Sequence, residues 1–404
     1  MDLLLNSFIN AHRDDDVNRL ALQRNRYSDM TDADFDFALQ QIEGRQRSKQ
    51  KLPFAQSIDD WWYPKHLSLE QCSSEQTARY KQQLLRSAGE TQSGVFTDLT
   101  GGYGIDTLFL SRLFRESHYV EQQEELCRIA EHNFHLEGAS ILVHHASAEE
   151  YIRQLVFSDL IYIDPARRDH SGGKVYQLSD CTPNVLPFLA QLQTKCRQLL
   201  LKLSPMLDLS VVLQQLPAAE VHIVAVRGEV KELLLLCRFD DSSNESASEA
   251  QSGVSAKHDP LCYAVNLESA HPAFVFTRQQ EQSAQCVMAE RMAEYLYEPN
   301  AAILKAGAFK TIAERYDLMK LEQNTHLYTS DKLVEAFPGR VFHILAEASK
   351  KRLKGEALSV LVRNYPLSAN QLRSQYRLQE SDNRFLIAAR CCGKPVLFLA
   401  ERVG

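Results

Sequence analysis

The chain has 404 residues, 44% of them hydrophobic and 24% charged, which excludes a largely disordered protein and suggests about two to four domains. The formal net charge is −7, yet residues 331–404 hold 13 Lys and Arg against 7 Asp and Glu, leaving −13 on the first 330. Only the C-terminal part could attract a polyanion. Nine cysteines occur with no Cys-x-x-Cys pair, so neither a zinc site nor a redox motif of that kind is expected; metal ligands: none. The residues after Met1 lack a basic, apolar leader, and no apolar run approaches the roughly 18 residues that span a bilayer. A cytoplasmic protein without membrane contact is expected.

Residues 1–90 read as a polar, helical N-terminal region. Phe35, Phe37, Leu39 and Ile42 alternate with acids as on an amphipathic helix. Trp61-Trp-Tyr63 reads as core packing against the following domain, with base stacking as the other possibility. A helix is predicted to open at Ser73 as N-cap, with Gln76 completing a capping box.

From 91 to 240 the pattern changes to short apolar strands alternating with helices. Strands are predicted at 95–97, 118–120, 141–143, 160–163, 199–203, 221–226 and 232–239, with helices at 106–114, 124–136, 149–156 and 185–192. Such alternation predicts a parallel, helix-covered sheet. Residues 241–260 read as a linker or mobile loop. A hairpin is expected over 261–267 and 273–277. A single helix is expected over 300–316, then strands at 341–345, 358–362 and 396–399 around a helix at 369–376. This last part is a small α+β module.

Four features of the 91–240 stretch carry chemistry. The first is Asp98-Leu-Thr-Gly-Gly-Tyr-Gly104 at a strand end. Gly102 and Gly104 lack a Cβ where a loop must approach a ligand, and the next helix offers free N–H groups. A dinucleotide site needs a third glycine, where Thr107 stands, and a pyrophosphate would meet Asp98 and Asp106. S-adenosylmethionine (SAM), with its sulfonium and ammonium, suits those carboxylates better. The second is Glu121, ending the second strand, where a carboxylate can accept hydrogen bonds from both ribose hydroxyls. The third is the Ser147-Ala148 loop after the third strand, placed to edge an adenine. The fourth is Asp164-Pro165-Ala-Arg167-Arg168 at the end of the fourth strand, where ligands of open α/β sheets gather. Asp164 and the Pro165 turn could orient a methyl acceptor. Arg167 and Arg168 could clamp an anionic substrate group, or form an exposed ion pair with Asp169.

Together these residues resemble the class I SAM-dependent methyltransferases. The resemblance implies a Rossmann-like α/β sheet over 91–240 and the cofactor SAM. It also implies cofactor contacts from Asp98, Thr100, Gly102, Gly104, Glu121, Ser147 and Ala148, and catalytic roles for Asp164, Pro165 and Arg167. Thr100 departs from the glycine usual at its position, and Ala166-Arg167 from the Pro-aromatic pair of amino-methylating relatives. Later motifs extend the resemblance to a bacterial subfamily with ferredoxin-like and THUMP-like C-terminal domains. They are Tyr297-Glu-Pro-Asn, His326-Leu-Tyr-Thr-Ser330 and Phe337-Pro-Gly-Arg-Val341. Boundaries of 261–325 and 326–404 are expected for the two domains. True THUMP domains bind RNA, so the resemblance implies RNA (rRNA or tRNA) as substrate and partner. A methyltransferase of proteins or small molecules, and a non-catalytic RNA-binding protein of the same fold, are the alternatives.

Overall fold

The structure is a computed structural model and describes residues 3–87, 93–167, 177–239, 259–349 and 353–403. The predicted linker 241–260 lies mostly outside these residues, as do Arg168 and Asp169. Two compact units divide the chain, Met1–Leu216 with Leu236–Gly253, and Pro217–Leu235 with Val254–Gly404. Among the described residues, no helix is long and apolar enough to cross a membrane.

The first unit begins with helices, chief among them α1 (Leu3–Ala11), α2 (Asp32–Ser48) and α3 (Glu75–Ser87). The α3 cap is Ser74, whose hydroxyl accepts from the Thr77 N–H. The predicted cap, Ser73, instead donates to Asp106 in a buried contact, so a tertiary carboxylate wins over the local N–H group.

A parallel sheet follows. Its elements are β1 (Val95–Asp98), α4 (Ile105–Ser111), β2 (Glu116–Glu121), α5 (Glu124–Leu136), β3 (Ile141–His145), α6 (Ala148–Gln154), β4 (Ser158–Ile163) and β5 (Cys196–Leu203). Strand order is β5-β4-β1-β2-β3, every neighbouring pair parallel. β1 therefore lies between β2 and β4, and the carboxyl ends of all three adjoin. Helix α5 buries Leu126, Cys127, Ile129, Ala130 and Phe134, a spacing that lays one face on the sheet. Trp61 and Tyr63 join this core, as the packing reading expected: the Trp61 indole donates to the Tyr103 hydroxyl at 2.6 Å.

In the second unit, β6 (Glu220–Val226) pairs in parallel with β7 (Leu261–Asn266), which forms the expected antiparallel hairpin with β8 (Phe274–Thr277). The predicted helix 300–316 is two helices, α7 (Ala301–Ala306) and α8 (Phe309–Arg315), because Gly307 caps the first at φ +77°. A second sheet contains β9 (Tyr295–Pro299), β10 (Tyr328–Ser330), β11 (Gly339–Glu347), β12 (Ser359–Arg363), β13 (Arg384–Cys391) and β14 (Lys394–Val403). β9, β10 and β13 lie outside the predicted strands. Glu298 on β9 is 3% exposed and binds both Arg340 on β11 and Arg363 on β12. A Cβ on Gly339 would stand 2.1 Å from the Glu298 carbonyl oxygen. The Tyr297 and Phe337 motifs thus pack on each other across one strand pair.

Candidate functional site

The strand order brings Asp98, Glu121 and Asp164 to one edge of the sheet. The loop after β1 turns back at Gly104, whose φ of +82° favours glycine and whose Cβ would stand 2.8 Å from the Phe134 ring. Gly101 N–H donates to the Val120 carbonyl, and the Tyr119 hydroxyl donates to the Gly102 carbonyl. Both bonds fasten the loop to β2. Glu121, 8% exposed, accepts from Gly102 N–H at 2.9 Å and Gln123 N–H at 2.8 Å, one on each oxygen. Each oxygen keeps a further lone pair.

Asp98 is 1% exposed and turned into its own loop. It accepts from the Thr100 N–H at 2.9 Å and the Thr107 hydroxyl at 2.6 Å. Burial pushes its carboxyl up to about 7, against the pull of these two donors. The folded state then holds a proton that the unfolded chain releases near pH 3.8. Asp98 accordingly lowers stability as pH rises from about 4 to 7, by an amount on the order of 4 kcal/mol. Asp98→Asn is expected to lose that dependence. Thermal unfolding of both proteins between pH 5 and 8 checks this; parallel curves would contradict it.

Thr100 links the donor loop to the acceptor turn. Its hydroxyl oxygen accepts the Asp164 N–H at 2.6 Å, beside a Leu99 N–H to Tyr162 carbonyl bond of 3.0 Å. A threonine in the position usual for glycine therefore has a use that glycine lacks. The Asp164 carboxylate forms an ion pair with the Lys202 ammonium, on side chains 33% and 12% exposed. Lys202 is the residue that the sequence reading missed. Its signal was a single lysine inside the apolar run Leu199–Leu203, a place where a charge needs a partner.

Asp106, expected from the sequence to face the ligand, is instead committed within the protein. It lies 3.2 Å from the ammonium of the fully buried Lys81 and accepts from the Ser73 and Tyr162 hydroxyls. Burial alone would raise its carboxyl; the Lys81 and Lys202 charges and the two hydroxyls outweigh that and hold it below its ordinary value. Asp98 is likewise turned into its own loop and keeps its proton up to about pH 7, so the acidity facing the crevice rests on Glu121 and Asp164. Nearby, burial lowers the Lys51 ammonium and pushes the Cys72 thiol up to about 11.

The remaining predicted residues are arranged less directly. Ala146 N–H donates to the Glu121 carbonyl, which sets the Ser147 loop beside Glu121. The Ser147 hydroxyl is occupied as the cap of α6, in a capping box with Glu150, and Ala148 is the first residue of that helix. Pro165 is buried, and Ala166–Arg167 pairs antiparallel with Cys181–Thr182. No group of His, Cys, Asp and Glu among the described residues could hold a metal ion.

Comparison with known proteins agrees with this architecture. Family models of a ferredoxin-like domain and of a THUMP-like domain match residues 295–338 and 339–402. A crystal structure from Porphyromonas gingivalis W83, named as that of a candidate methyltransferase, is 32% identical. The match covers 100% of this chain and 98% of that one, with a TM-score of 0.84. Uncharacterized S-adenosylmethionine-dependent methyltransferases of Mycobacterium tuberculosis strains CDC 1551 and H37Rv are 24% identical over 231 residues. That match spans 55% of this chain and 57% of the length of those relatives. With the full-length structural match, the Gly101–Gly104 loop, the strand-end acids and the two C-terminal domains, the chain belongs to the class I SAM-dependent methyltransferase family, in the branch that carries ferredoxin-like and THUMP-like domains.

Proposed function

We propose that the protein transfers a methyl group from SAM to an RNA acceptor, rRNA or tRNA. The observation that carries the reading is the bonded continuity of the three strand ends: Glu121 to Gly102, Gly102 within the loop of Asp98 and Thr100, and Thr100 to Asp164. A ligand bridging these groups would touch both a ribose acceptor and a site for the acceptor atom.

The residues present fit SAM. Glu121 retains lone pairs for a ribose diol, Gly102 and Gly104 give backbone access, and Asp98 and Thr100 border the methionine end. The Ser147–Ala148 loop borders the adenine through its backbone, since the Ser147 hydroxyl is already committed to Glu150. SAM supplies the methyl group and leaves as the neutral thioether, so the acceptor must shed a proton. Asp164 orients the acceptor and accepts a hydrogen bond from it, while Lys202 fixes one oxygen of the carboxylate. The Pro165 turn aims that carboxylate, and Arg167 is proposed to meet an anionic group of the substrate. RNA as the partner draws on the THUMP-like match and the net positive charge of residues 331–404. The domain division at 90, 240, 260 and 325 and a cytoplasmic setting, in keeping with nine free cysteines, belong to the same reading.

Incubation with methyl-labelled SAM and separated RNA, protein and metabolite fractions tests the acceptor class. Label in RNA is expected. Label confined to protein or metabolites would overturn the RNA assignment and leave the methyl transfer standing.

A further inference from the structure

The turn joining β13 to β14 carries two adjacent cysteines that the proposed activity does not use. Cys391 ends β13 and is 5% exposed, whereas Cys392 is exposed and sits at φ +51°. Successive side chains of a regular strand point to opposite faces. The left-handed conformation at Cys392, followed by Gly393 at φ +77°, breaks that alternation. As a result the two sulfurs face each other at 3.5 Å. The turn is held in this form from outside. The Cys392 thiol donates to the Ala289 carbonyl at 3.3 Å, and the Gly393 N–H donates to the Glu322 carboxylate. The Thr325 hydroxyl donates to the Arg390 carbonyl. The dithiol therefore lies where the segment around 289 and the 321–325 loop meet the β13–β14 hairpin.

We propose that Cys391 and Cys392 form a binding site for trivalent arsenicals of the type R–As(OH)2, two thiols chelating one arsenic. Two sulfurs already side by side have the arrangement that a three-coordinate soft centre requires, and only a small adjustment is needed to close the ring. The reaction balances without an oxidant or a base. Each S–H condenses with one As–OH, two As–S bonds form, two As–O bonds break, and two waters leave. Protonated thiols suffice, which matters because burial pushes the Cys391 thiol up to about 12 and leaves little thiolate. Occupation consumes the Cys392 hydrogen that bonds Ala289, so binding also releases the turn from that segment.

The test uses the full-length protein with phenylarsine oxide, followed by intact-mass and peptide mass spectrometry. One adduct per chain is expected on the peptide holding both cysteines. It should survive excess 2-mercaptoethanol and be removed by a dithiol such as 2,3-dimercaptopropanol, because two bonds to one arsenic must be displaced together. Cys392→Ser lies on the exposed turn and should abolish the resistant adduct, with hydrogen exchange around Ala289 rising on binding only in the unsubstituted protein. An adduct that mercaptoethanol strips, or one kept undiminished by Cys392→Ser, would overturn the proposal.

Discussion

Asp164→Ala is expected to lower methyl transfer by roughly 10²–10⁴-fold while SAM affinity stays within about threefold, the range in which a positioned proton-accepting group contributes. The expectation follows from geometry. Asp164 stands one residue beyond β4, its N–H is fixed by the Thr100 hydroxyl, and its carboxylate is held by Lys202. Removing the side chain leaves the Thr100 bond to the backbone in place, so the donor loop should keep its shape. Lys202→Met should lower the rate as well, through a carboxylate left free to rotate. Single-turnover transfer of labelled methyl, read beside calorimetric SAM binding, separates the two effects. An Asp164→Ala protein that transfers at the normal rate would remove the carboxylate from the reaction.

The largest effect on stability is expected at Lys81. Its ammonium is fully buried, 3.2 Å from the Asp106 carboxylate, and ties α3 to α4. Lys81→Met would leave Asp106 buried without its cation, at a cost of about 3–5 kcal/mol. The sign with pH follows from the direction of the Asp106 shift. Its carboxyl is held below the ordinary value, so the stabilisation is present at neutral pH and lost as pH falls through the folded-state value. The gap between wild type and variant in urea unfolding should therefore be widest near pH 7 and narrow below about pH 4. Adding Asp106→Leu to Lys81→Met should recover part of the loss, because neighbouring substitutions of one pair are not additive. A gap that ignores pH would contradict the pairing.

The sheet was legible because its strands are continuous apolar runs such as Leu160–Ile163, and its helices keep the 3.6-residue period of α5. The Gly101–Gly104 loop and the strand-end acids were legible because they occupy fixed places relative to those runs. What stayed hidden is tertiary. Asp106 and Lys81 are 25 positions apart, and a lysine in the polar sequence of α3 gives no sign of facing inward. Lys202 stands in an apolar run that calls for a partner charge, but only the pairing of β4 with β5 shows that the partner is Asp164. Ser73 fitted a cap locally and was claimed by Asp106 instead. The 300–316 segment has helical residues on both sides of Gly307, and only the left-handed backbone there shows the break.

The claim that the crevice between β1 and β2 takes a cationic methyl carrier is tested most directly by calorimetric titration of SAM into wild type, Glu121→Gln and Glu121→Ala. Loss of charged hydrogen bonds to the ribose, on the order of 1.5–3 kcal/mol each, should weaken binding by about 10-fold or more in Glu121→Ala, with Glu121→Gln between the two. Equal affinity in all three proteins, or NAD binding with none of SAM, would contradict the account.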